Sequence, residues 1–202
     1  MTARSDKKIP LEWRPDALTV ANCLGSPRKN VERNLPLIYD ALDEFDIHYY
    51  RGIIAVLATV GVECRTFHPI DEYGGPKYWF RMYDIESPDP KRQAKARELG
   101  NLLPGEGILY HGRGFVQLTG KFNYQEMGKA LGIDLESDPD EALDPAVAAR
   151  CLARFCRTHG VDVAAQREDW KGVRRKVNGG LTHYDRLMSA VGALKAAYNA
   201  RG

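Results

Sequence analysis

Polar side chains alternate with glycines in the stretch Tyr110–Tyr124, which reads Tyr-His-Gly-Arg-Gly-Phe-Val-Gln-Leu-Thr-Gly-Lys-Phe-Asn-Tyr. Glycine lets a backbone adopt positive φ angles and approach another surface closely. Between the glycines, Gln117, Thr119 and Asn123 supply amide and hydroxyl groups beside aromatic rings, and Asn178 precedes two glycines in a second such turn. A sugar presents hydroxyl groups at its edges and C–H groups on its faces, which these side chains can match. The pattern therefore predicts a carbohydrate-binding site.

Two glutamates, Glu63 and Glu72, stand nine residues apart in unlike surroundings. Glu63 ends a run that is apolar almost throughout from Ile53 to Val62. A carboxyl group against an apolar wall favours its protonated form and can then act as a general acid. Glu72 lies among glycines, where water can keep a carboxylate ionised. Glycoside hydrolysis uses such a pair, because one carboxylic acid protonates the leaving oxygen while the other group activates water or stabilises the sugar cation.

The same two glutamates have an alternative, structural interpretation. Glu63 could form an ion pair with Arg65 or Arg81, and Glu72 could be a solvated turn residue. Acidic pairs at this spacing are common, and structural ion pairs also perturb the ionisation of carboxyl groups. The spacing by itself favours the structural interpretation, so other motifs have to decide between the two.

The elements that must position these residues are predicted to be mainly helical. The run Tyr50–Glu63 predicts a central helix buried on most sides. From Phe67 to Tyr83, glycines and prolines interrupt short aromatic pieces and predict a small hairpin or irregular lobe, and 102–120 is expected to be loop with one short strand. Caps are predicted at Asp16, Ser26, Asp144 and Thr182. Helices are predicted from 16 to 25, from 26 through the apolar positions 35, 38, 39, 42 and 45, at 91–99, and at about 121–131, 145–159, 168–177 and 183–199.

The composition sets outer limits on the class of protein. The chain has 202 residues, 29 basic and 27 acidic side chains, and a formal net charge of +2. This length predicts a single domain over residues 1–202, with 1–15 as a mobile lead. The balanced charge argues against a nucleic-acid-binding protein, which usually shows a basic excess. No metal or other cofactor is expected, because the histidines lack the spacing of a metal site and the cysteines form no Cys-x-x-Cys pair.

Cysteine usage and the polar start of the chain bear on the compartment. Cys23, Cys64, Cys151 and Cys156 are expected to be reduced, buried thiols of a protein made in a cytosol. The first residues lack the apolar run of a secretory signal, and no apolar stretch reaches the roughly 20 residues of a membrane span. We therefore expect synthesis in a host cytoplasm without a signal peptide and without stable membrane insertion.

Several separate motifs resemble, in type and order, those of the glycoside hydrolase family 19 chitinases and of related phage endolysins. They are the pair Glu63 and Glu72, the segments 112–120 and 123–124, and the turn at 177–181. The resemblance runs from about Leu35 to Ala197 and so covers most of the chain. It implies a mainly α (α+β), lysozyme-like fold with two lobes, a small β-hairpin lobe at about 67–83 and an active-site cleft.

The resemblance also implies a role for each site residue. Glu63 corresponds to the general acid, and Glu72 to the base that activates water in an inverting reaction, with Asp71 or Glu86 as alternatives for the second carboxylate. The nine-residue step between the glutamates resembles phage-type lysozymes more than plant chitinases. The remaining matches, which bind sugar, orient water or support the acid, are Gln117, Thr119, Asn123, Asn178 and Arg186.

These matches predict an endolysin-type glycoside hydrolase that cleaves β-1,4 bonds of bacterial peptidoglycan. We expect this enzyme to bind the glycan strands of peptidoglycan and to be a monomer. We also expect a holin to release it to the cell wall. A chitinase acting on chitin oligomers is the alternative enzyme. A non-catalytic wall-binding or phage structural protein on a lysozyme scaffold is the alternative of another class. Which glycosidic bond is cut stays open at this point.

Overall fold

A computed structural model of the protein describes residues 13–201. Helices dominate it, and its two short strands form one antiparallel pair. The helices are α1 Ala17–Leu24, α2 Arg28–Glu44, α3 Tyr50–Glu63, α4 Gly75–Tyr83, α5 Pro90–Glu98, α6 Glu106–Leu109, α7 Lys121–Leu131, α8 Pro145–Thr158, α9 Val161–Gln166, α10 Trp170–Asn178 and α11 Tyr184–Asn199, with a 3₁₀ helix at Pro139–Leu143. The strands are β1 Ile70–Asp71 and β2 Arg113–Gly114.

The chain divides into two compact units. The first unit ends at Phe67 and resumes at Ala153, and the second spans His68–Leu152. The expectation of a single domain over the whole chain stays a prediction.

The first unit is built around α3. Every residue of α3 from Gly52 to Val60 is buried, as its all-round apolar sequence predicts. Helices α9 and α11 pack on α3, and α1 packs on α2 and α11. The polar end of α3, at Glu63, therefore projects from a rigid apolar scaffold.

Aromatic stacking joins the start of the described chain to α11. The ring of Trp13, which is 4% exposed, meets the Tyr198 ring edge-on at 5.2 Å, and Tyr198 stacks on Tyr50 at 4.2 Å. The predicted mobile lead is wrong for this part of it, because Trp13 is buried. The remainder of that prediction, residues 1–12, lies outside the described residues.

The second unit holds the strand pair. Ile70 pairs with Gly114, and Asp71 pairs with Arg113. Helix α4 packs on α6 so closely that a β-carbon at Gly107 would collide with the backbone of Tyr83 and Asp84. The buried Asp84 carboxyl group accepts hydrogen bonds from the backbone N–H groups of Gly105 and Gly107, at 2.9 and 3.0 Å. These contacts hold α4 next to the loop that leads into β2.

The predicted hairpin lobe at 67–83 is wrong in its details. Only Ile70 and Asp71 are strand, their partner comes from the distant segment Arg113–Gly114, and α4 begins at Gly75. Gly74 and Gly75 adopt φ angles of 124° and 74°, which turn the chain into the helix. Proline in the first turn of a helix is favourable rather than disruptive, so Pro76, the second residue of α4, belongs to the helix instead of interrupting a strand.

The predicted caps are confirmed at two positions and wrong at two. Asp16 accepts from the N–H of Thr19, and Asp144 accepts from Ala146 and Val147. Thr182 does not cap α11, because the residue before that helix is His183 in a left-handed conformation at φ 60°. The Ser26 hydroxyl is buried without a partner, and α2 begins two residues later.

Candidate active site

Glu63 is the last residue of α3, and the guanidinium of Arg174 donates a hydrogen bond to its carboxyl oxygen Oε1. Arg174 belongs to α10 and is 1% exposed, while the side chain of Glu63 is 23% exposed. The Nε–H of Arg174 also donates to the carbonyl of Thr182. Because the arginine is held from two sides, it fixes the orientation of the one carboxyl group at the end of the apolar helix.

Cys64 follows Glu63 and is fully buried. Its backbone N–H donates to the carbonyl of Val60, so Cys64 caps the C-terminal end of α3. Burial, and next the negative charge of Glu63, raise the pKa of the Cys64 thiol to about 12. The thiol is therefore protonated at neutral pH and has the character of a core side chain rather than a nucleophile.

The structural interpretation of Glu63 is right about an ion pair and wrong about the partner. The partner is Arg174, 111 positions along the chain, rather than Arg65 or Arg81. The resemblance assigned support of the acid to Arg186. Arg186 is exposed and lines a pocket with Gly61 and Val62. The arginine that contacts the Glu63 carboxyl group directly is Arg174.

Glu72 follows β1 and is held by four hydrogen bonds. Its carboxyl group accepts from the Tyr83 hydroxyl at 2.6 Å and from the N–H of Gly112 at 3.4 Å. Its backbone N–H donates to the carbonyl of Gly112 at 2.8 Å, and its carbonyl accepts from the indole of Trp79 at 3.2 Å. Both the backbone and the carboxyl group of Glu72 are thus positioned.

Tyr83 is the hydroxyl donor in this group. Burial, followed by the hydrogen bond to Glu72, raises the pKa of the Tyr83 phenol above its ordinary value. The phenol therefore stays protonated at neutral pH and donates to the carboxyl group.

Gly112 is the point where three predicted site residues meet. A β-carbon at this position would lie 2.9 Å from Thr119 Oγ1, 3.1 Å from Gln117 Oε1 and 3.2 Å from Glu72 Cβ. The glycine in the His-Gly-Arg-Gly motif is therefore required by close approach and not by a positive φ angle, since its φ is ordinary. The structure brings Glu72, Gln117 and Thr119 together in the second unit.

The polar side chains of this loop also hold the loop itself. The Gln117 amide donates to the carbonyls of Ile70 and Gly114, each at 3.1 Å, which ties the loop to both strands. The Thr119 hydroxyl donates to the carbonyl of Gln117 at 2.9 Å. The exposed Asn123 donates to the carbonyl of Thr119 at 2.7 Å. Each side chain keeps an oxygen that can accept a hydrogen bond from a sugar or from water.

The two alternative carboxylates have different surroundings from Glu72. Asp71 lies 2.9 Å from His111 Nε2 and 3.6 Å from Arg113 Nε, so buried basic side chains engage it. Glu86 is exposed and follows the end of α4 by three residues. Of the three acids, Glu72 is the one that lies against Gln117 and Thr119.

Aromatic and basic groups pack around this loop, in contacts that the sequence alone does not give. The Trp79 and His111 rings stack at 3.5 Å with an angle of 3° between their planes. Buried Arg113 donates to the carbonyls of Leu109 and His111 and to the hydroxyl of Tyr124. His111 and Arg113 belong to the His-Gly-Arg sequence of the motif, and Trp79 to the aromatic pieces between 67 and 83. Sequence reasoning missed Arg174, although it precedes Asn178 by four residues on one helix.

Asn178 lies in the first unit, exposed at the end of α10, and Gly179 follows it at a φ angle of 74°. The Asn178 side chain has no hydrogen-bond partner among residues 13–201. Its role, like that of Arg186, stays a prediction.

The described residues bear on metal binding and on membrane insertion. Within 13–201, no group of three or more His, Cys, Asp or Glu side chains is arranged to hold a metal ion. None of the helices in that range combines the length and apolar character needed to cross a membrane. Cys64, Cys151 and Cys156 are free and buried as predicted, whereas Cys23 is half-buried.

Comparison with known proteins places the chain in a family. A family model described as chitinase class I, that of glycoside hydrolase family 19, matches residues 52–166, more than half of the chain. The chain therefore belongs to glycoside hydrolase family 19. Similar curated proteins include a glycosyl hydrolase family 19 domain-containing protein of Haemophilus influenzae, 32% identical over 52% of this chain and 51% of its own length. Chitinase 11 of rice is 52% identical over 24% of this chain and 20% of its own.

Solved structures support the fold. Chitinase C of Streptomyces griseus superposes with a TM-score of 0.67 at 20% identity, covering 89% of this chain and 92% of that one. A second bacterial family 19 chitinase superposes with a TM-score of 0.64 at 22% identity, covering 89% of this chain and 94% of that one. The predicted mainly helical, lysozyme-like fold class is thereby confirmed. The chain spans about a fifth of the length of the rice chitinase and about half that of the Haemophilus protein.

Proposed function

We propose that the protein is a glycoside hydrolase that cleaves β-1,4 bonds between the amino sugars of bacterial peptidoglycan. Glu63 acts as the general acid and Glu72 as the base that activates water in an inverting reaction. The main support is the environment of Glu72, whose carboxyl group accepts from Tyr83 and Gly112 beside Gln117 and Thr119. A base that must aim a water molecule needs such a fixed, hydrogen-bonded position.

The role of Glu63 as the acid comes from the resemblance, and its surroundings supply a fixed position. In the proposed reaction it gives its proton to the glycosidic oxygen as the bond to the sugar carbon breaks, and Glu72 removes a proton from the attacking water. Arg174 holds the Glu63 carboxyl group in one orientation. A fixed donor helps because proton transfer depends on hydrogen-bond reach to the leaving oxygen.

The sugar contacts proposed for this reaction use acceptors that the fold leaves open. The Gln117 amide nitrogen already donates to Ile70 and Gly114, so its Oε1 is the atom that can accept from a sugar hydroxyl or from water. Thr119, Asn123, Asn178 and Arg186 complete the proposed binding set.

Peptidoglycan is proposed as the substrate because the nine-residue step between the glutamates resembles phage-type lysozymes more than plant chitinases. Synthesis in a host cytoplasm and release through a holin belong to the same proposal. The second candidate is a chitinase of the same mechanism. It is favoured by the names of the similar proteins, which include chitinases of rice and of Streptomyces griseus.

Product analysis separates these candidates. Purified sacculi and chitin oligomers are each incubated with the protein, and the soluble products are sized by mass spectrometry before and after borohydride reduction. Release of disaccharide-peptides with a new reducing end from sacculi supports the proposal, and the reduced sugar identifies the bond cut. Cleavage of chitin oligomers alone favours the chitinase, and cleavage of neither substrate favours a binding protein.

A further inference from the structure

A pocket of about 260 Å³ lies wholly within the first unit, where α1, the end of α3 and the start of α11 meet. Its lining includes four residues with polar side chains, Arg65, Arg186, Cys23 and Ser189. Small apolar groups, among them Leu24, Val62 and Ala190, make up the rest. The pocket is somewhat smaller than typical drug-sized sites, which start near 300 Å³. It therefore suits a short branch of a larger ligand rather than a whole one.

The charge in this pocket is uncompensated. Neither Arg65 nor Arg186 has an ion pair or side-chain hydrogen bond with any residue in 13–201, and no acidic side chain is among the lining residues. The carboxylates nearest in sequence are Glu63, which is bound to Arg174, and Asp185, which does not line the pocket. Both arginines line one pocket, so an anion bound there gains a counter-charge from each. Arginine also matches the planar geometry of a carboxylate with two parallel hydrogen bonds.

The position of the pocket relates it to the proposed acid. Gly61 and Val62 line it, and Glu63 follows them on the same helix, where each residue rises about 1.5 Å. Glu63 itself does not line the pocket, and its carboxyl group binds Arg174. A ligand whose sugar lies at Glu63 would need a side branch to reach the pocket, and a peptide of two residues spans about 7 Å.

We propose that this pocket, named here the Arg65–Arg186 pocket, binds a carboxylate of the peptide stem that peptidoglycan has and chitin lacks. The inference rests on the proposed function and deepens it, since it names what distinguishes the two substrates. The guanidinium groups receive the carboxylate. The apolar wall of Leu24, Val62 and Ala190 receives the methyl groups of the lactyl-alanyl segment.

Cys23 supplies a direct probe of occupancy. It is the one half-buried cysteine of the four, and the other three are buried. A neutral thiol reagent, N-ethylmaleimide, will therefore label Cys23 first in the folded protein, and peptide mass spectrometry confirms the labelled position. A group bound between the arginines shields the thiol from the reagent, so the labelling rate measures binding without any need for turnover.

The experiment compares two matched ligands. N-acetylmuramyl-L-alanyl-D-glutamate has free carboxylates, and its diamide has the same size without the charge. Charge-assisted hydrogen bonds contribute about 1.5–3 kcal/mol, so we expect the dissociation constant of the acid to be roughly tenfold or more below that of the diamide. At about ten times the dissociation constant of the acid, labelling of Cys23 slows roughly tenfold, whereas the diamide slows it by no more than about twofold and chitotetraose leaves it unchanged.

Variants test whether the arginines cause the protection. The double variant Arg65→Gln/Arg186→Gln should lose it, while Arg33→Gln, an exposed arginine of α2 outside the pocket, should keep it. Both pocket arginines are exposed, so the melting temperature should not fall. Equal protection by acid and diamide, protection that survives the double variant, or equal protection by inorganic phosphate would overturn the proposal. No protection by the acid would overturn it as well.

The outcomes separate this inference from the proposed function. Sacculi that are cleaved without any protection of Cys23 contradict the pocket and leave the hydrolase in place. Protection of Cys23 without cleavage of sacculi supports the pocket as a binding site and contradicts the proposed activity.

Discussion

The Tyr83 hydroxyl donates to Glu72 Oε1 over 2.6 Å, and this single contact links the end of α4 to the carboxyl group that follows β1. The carboxyl group receives a second donor from the Gly112 backbone at 3.4 Å. Removing Tyr83 would therefore leave Glu72 attached to the weaker of its two donors. The consequence for turnover depends on whether Glu72 aims the water.

Tyr83→Phe is expected to lower turnover on sacculi by roughly tenfold or more, with little change in KM, because a hydrogen bond to a charged group contributes about 1.5–3 kcal/mol. Steady-state kinetics measure both constants. Tyr49→Phe, an exposed tyrosine of the first unit, is the control and should behave as wild type. A Tyr83→Phe enzyme with unchanged turnover would show that Glu72 needs no such positioning.

Gly112→Ala is expected to destabilise the protein by about 1–3 kcal/mol and to abolish most activity, because the added β-carbon would lie 2.9–3.2 Å from side-chain atoms of Thr119, Gln117 and Glu72. Thr119, Gln117 and Glu72 would all have to move. Thermal unfolding and turnover are measured together. The matched control is Gly192→Ala in α11, where a β-carbon would meet nothing within 4 Å. That change should be neutral or stabilise the helix by up to about 1 kcal/mol. Equal behaviour of the two variants would contradict the close packing at Gly112.

Arg174→Met is expected to lower the free energy of unfolding by about 1.5–3 kcal/mol, because it removes a hydrogen bond between the buried guanidinium and the Glu63 carboxyl group, whose side chain is 23% exposed. The exposed neighbour Arg175→Met should cost little. Chemical denaturation of Glu63→Gln, Arg174→Met and Glu63→Gln/Arg174→Met gives the coupling between the two residues, and Arg175→Met is measured beside them. If the change in the free energy of unfolding of the double variant equals the sum of the changes of the two single variants, the two side chains do not act as a pair.

Thr119→Ala and Asn178→Ala are each expected to lower turnover by roughly ten- to a hundredfold, the low end of the effect of a preorganised hydrogen bond. Because the Thr119 hydroxyl also donates to the Gln117 carbonyl, Thr119→Ser is the control that keeps the hydroxyl and should retain activity. Melting temperature is measured alongside. Activity that falls only in proportion to lost stability would assign the residue to the scaffold.

The sequence predicts those parts of the fold whose cause is local. An apolar run of ten residues can only be a buried helix or strand, and its length selects the helix that α3 forms. Asp16 and Asp144 predict helix starts, because the side chain of a capping residue accepts hydrogen bonds from N–H groups two or three residues away. The short α9 was missed because its six residues follow Gly160 without a readable cap.

Contacts between distant segments cannot be read in the same way. The partner of β1 is β2, about forty positions later in the chain. The local pattern of glycines, prolines and aromatic residues between 67 and 83 therefore predicts a hairpin within that stretch, which is wrong. The pairing of Glu63 with Arg174 depends on the packing of α10 in the first unit, which no local pattern encodes. Gln117 and Thr119 were identifiable from their motif, but their common neighbour Gly112 explains why they meet Glu72.

The most direct measurement of the central claim compares Glu63→Gln and Glu72→Gln with wild type in the release of soluble reducing ends from purified sacculi. Both substitutions keep the size of the side chain and remove its acid–base function, and circular dichroism checks that each variant stays folded. We predict that Glu63→Gln abolishes release and that Glu72→Gln lowers it by at least about a hundredfold. Activity of Glu63→Gln within tenfold of wild type would contradict its role as the general acid and with it the proposed mechanism.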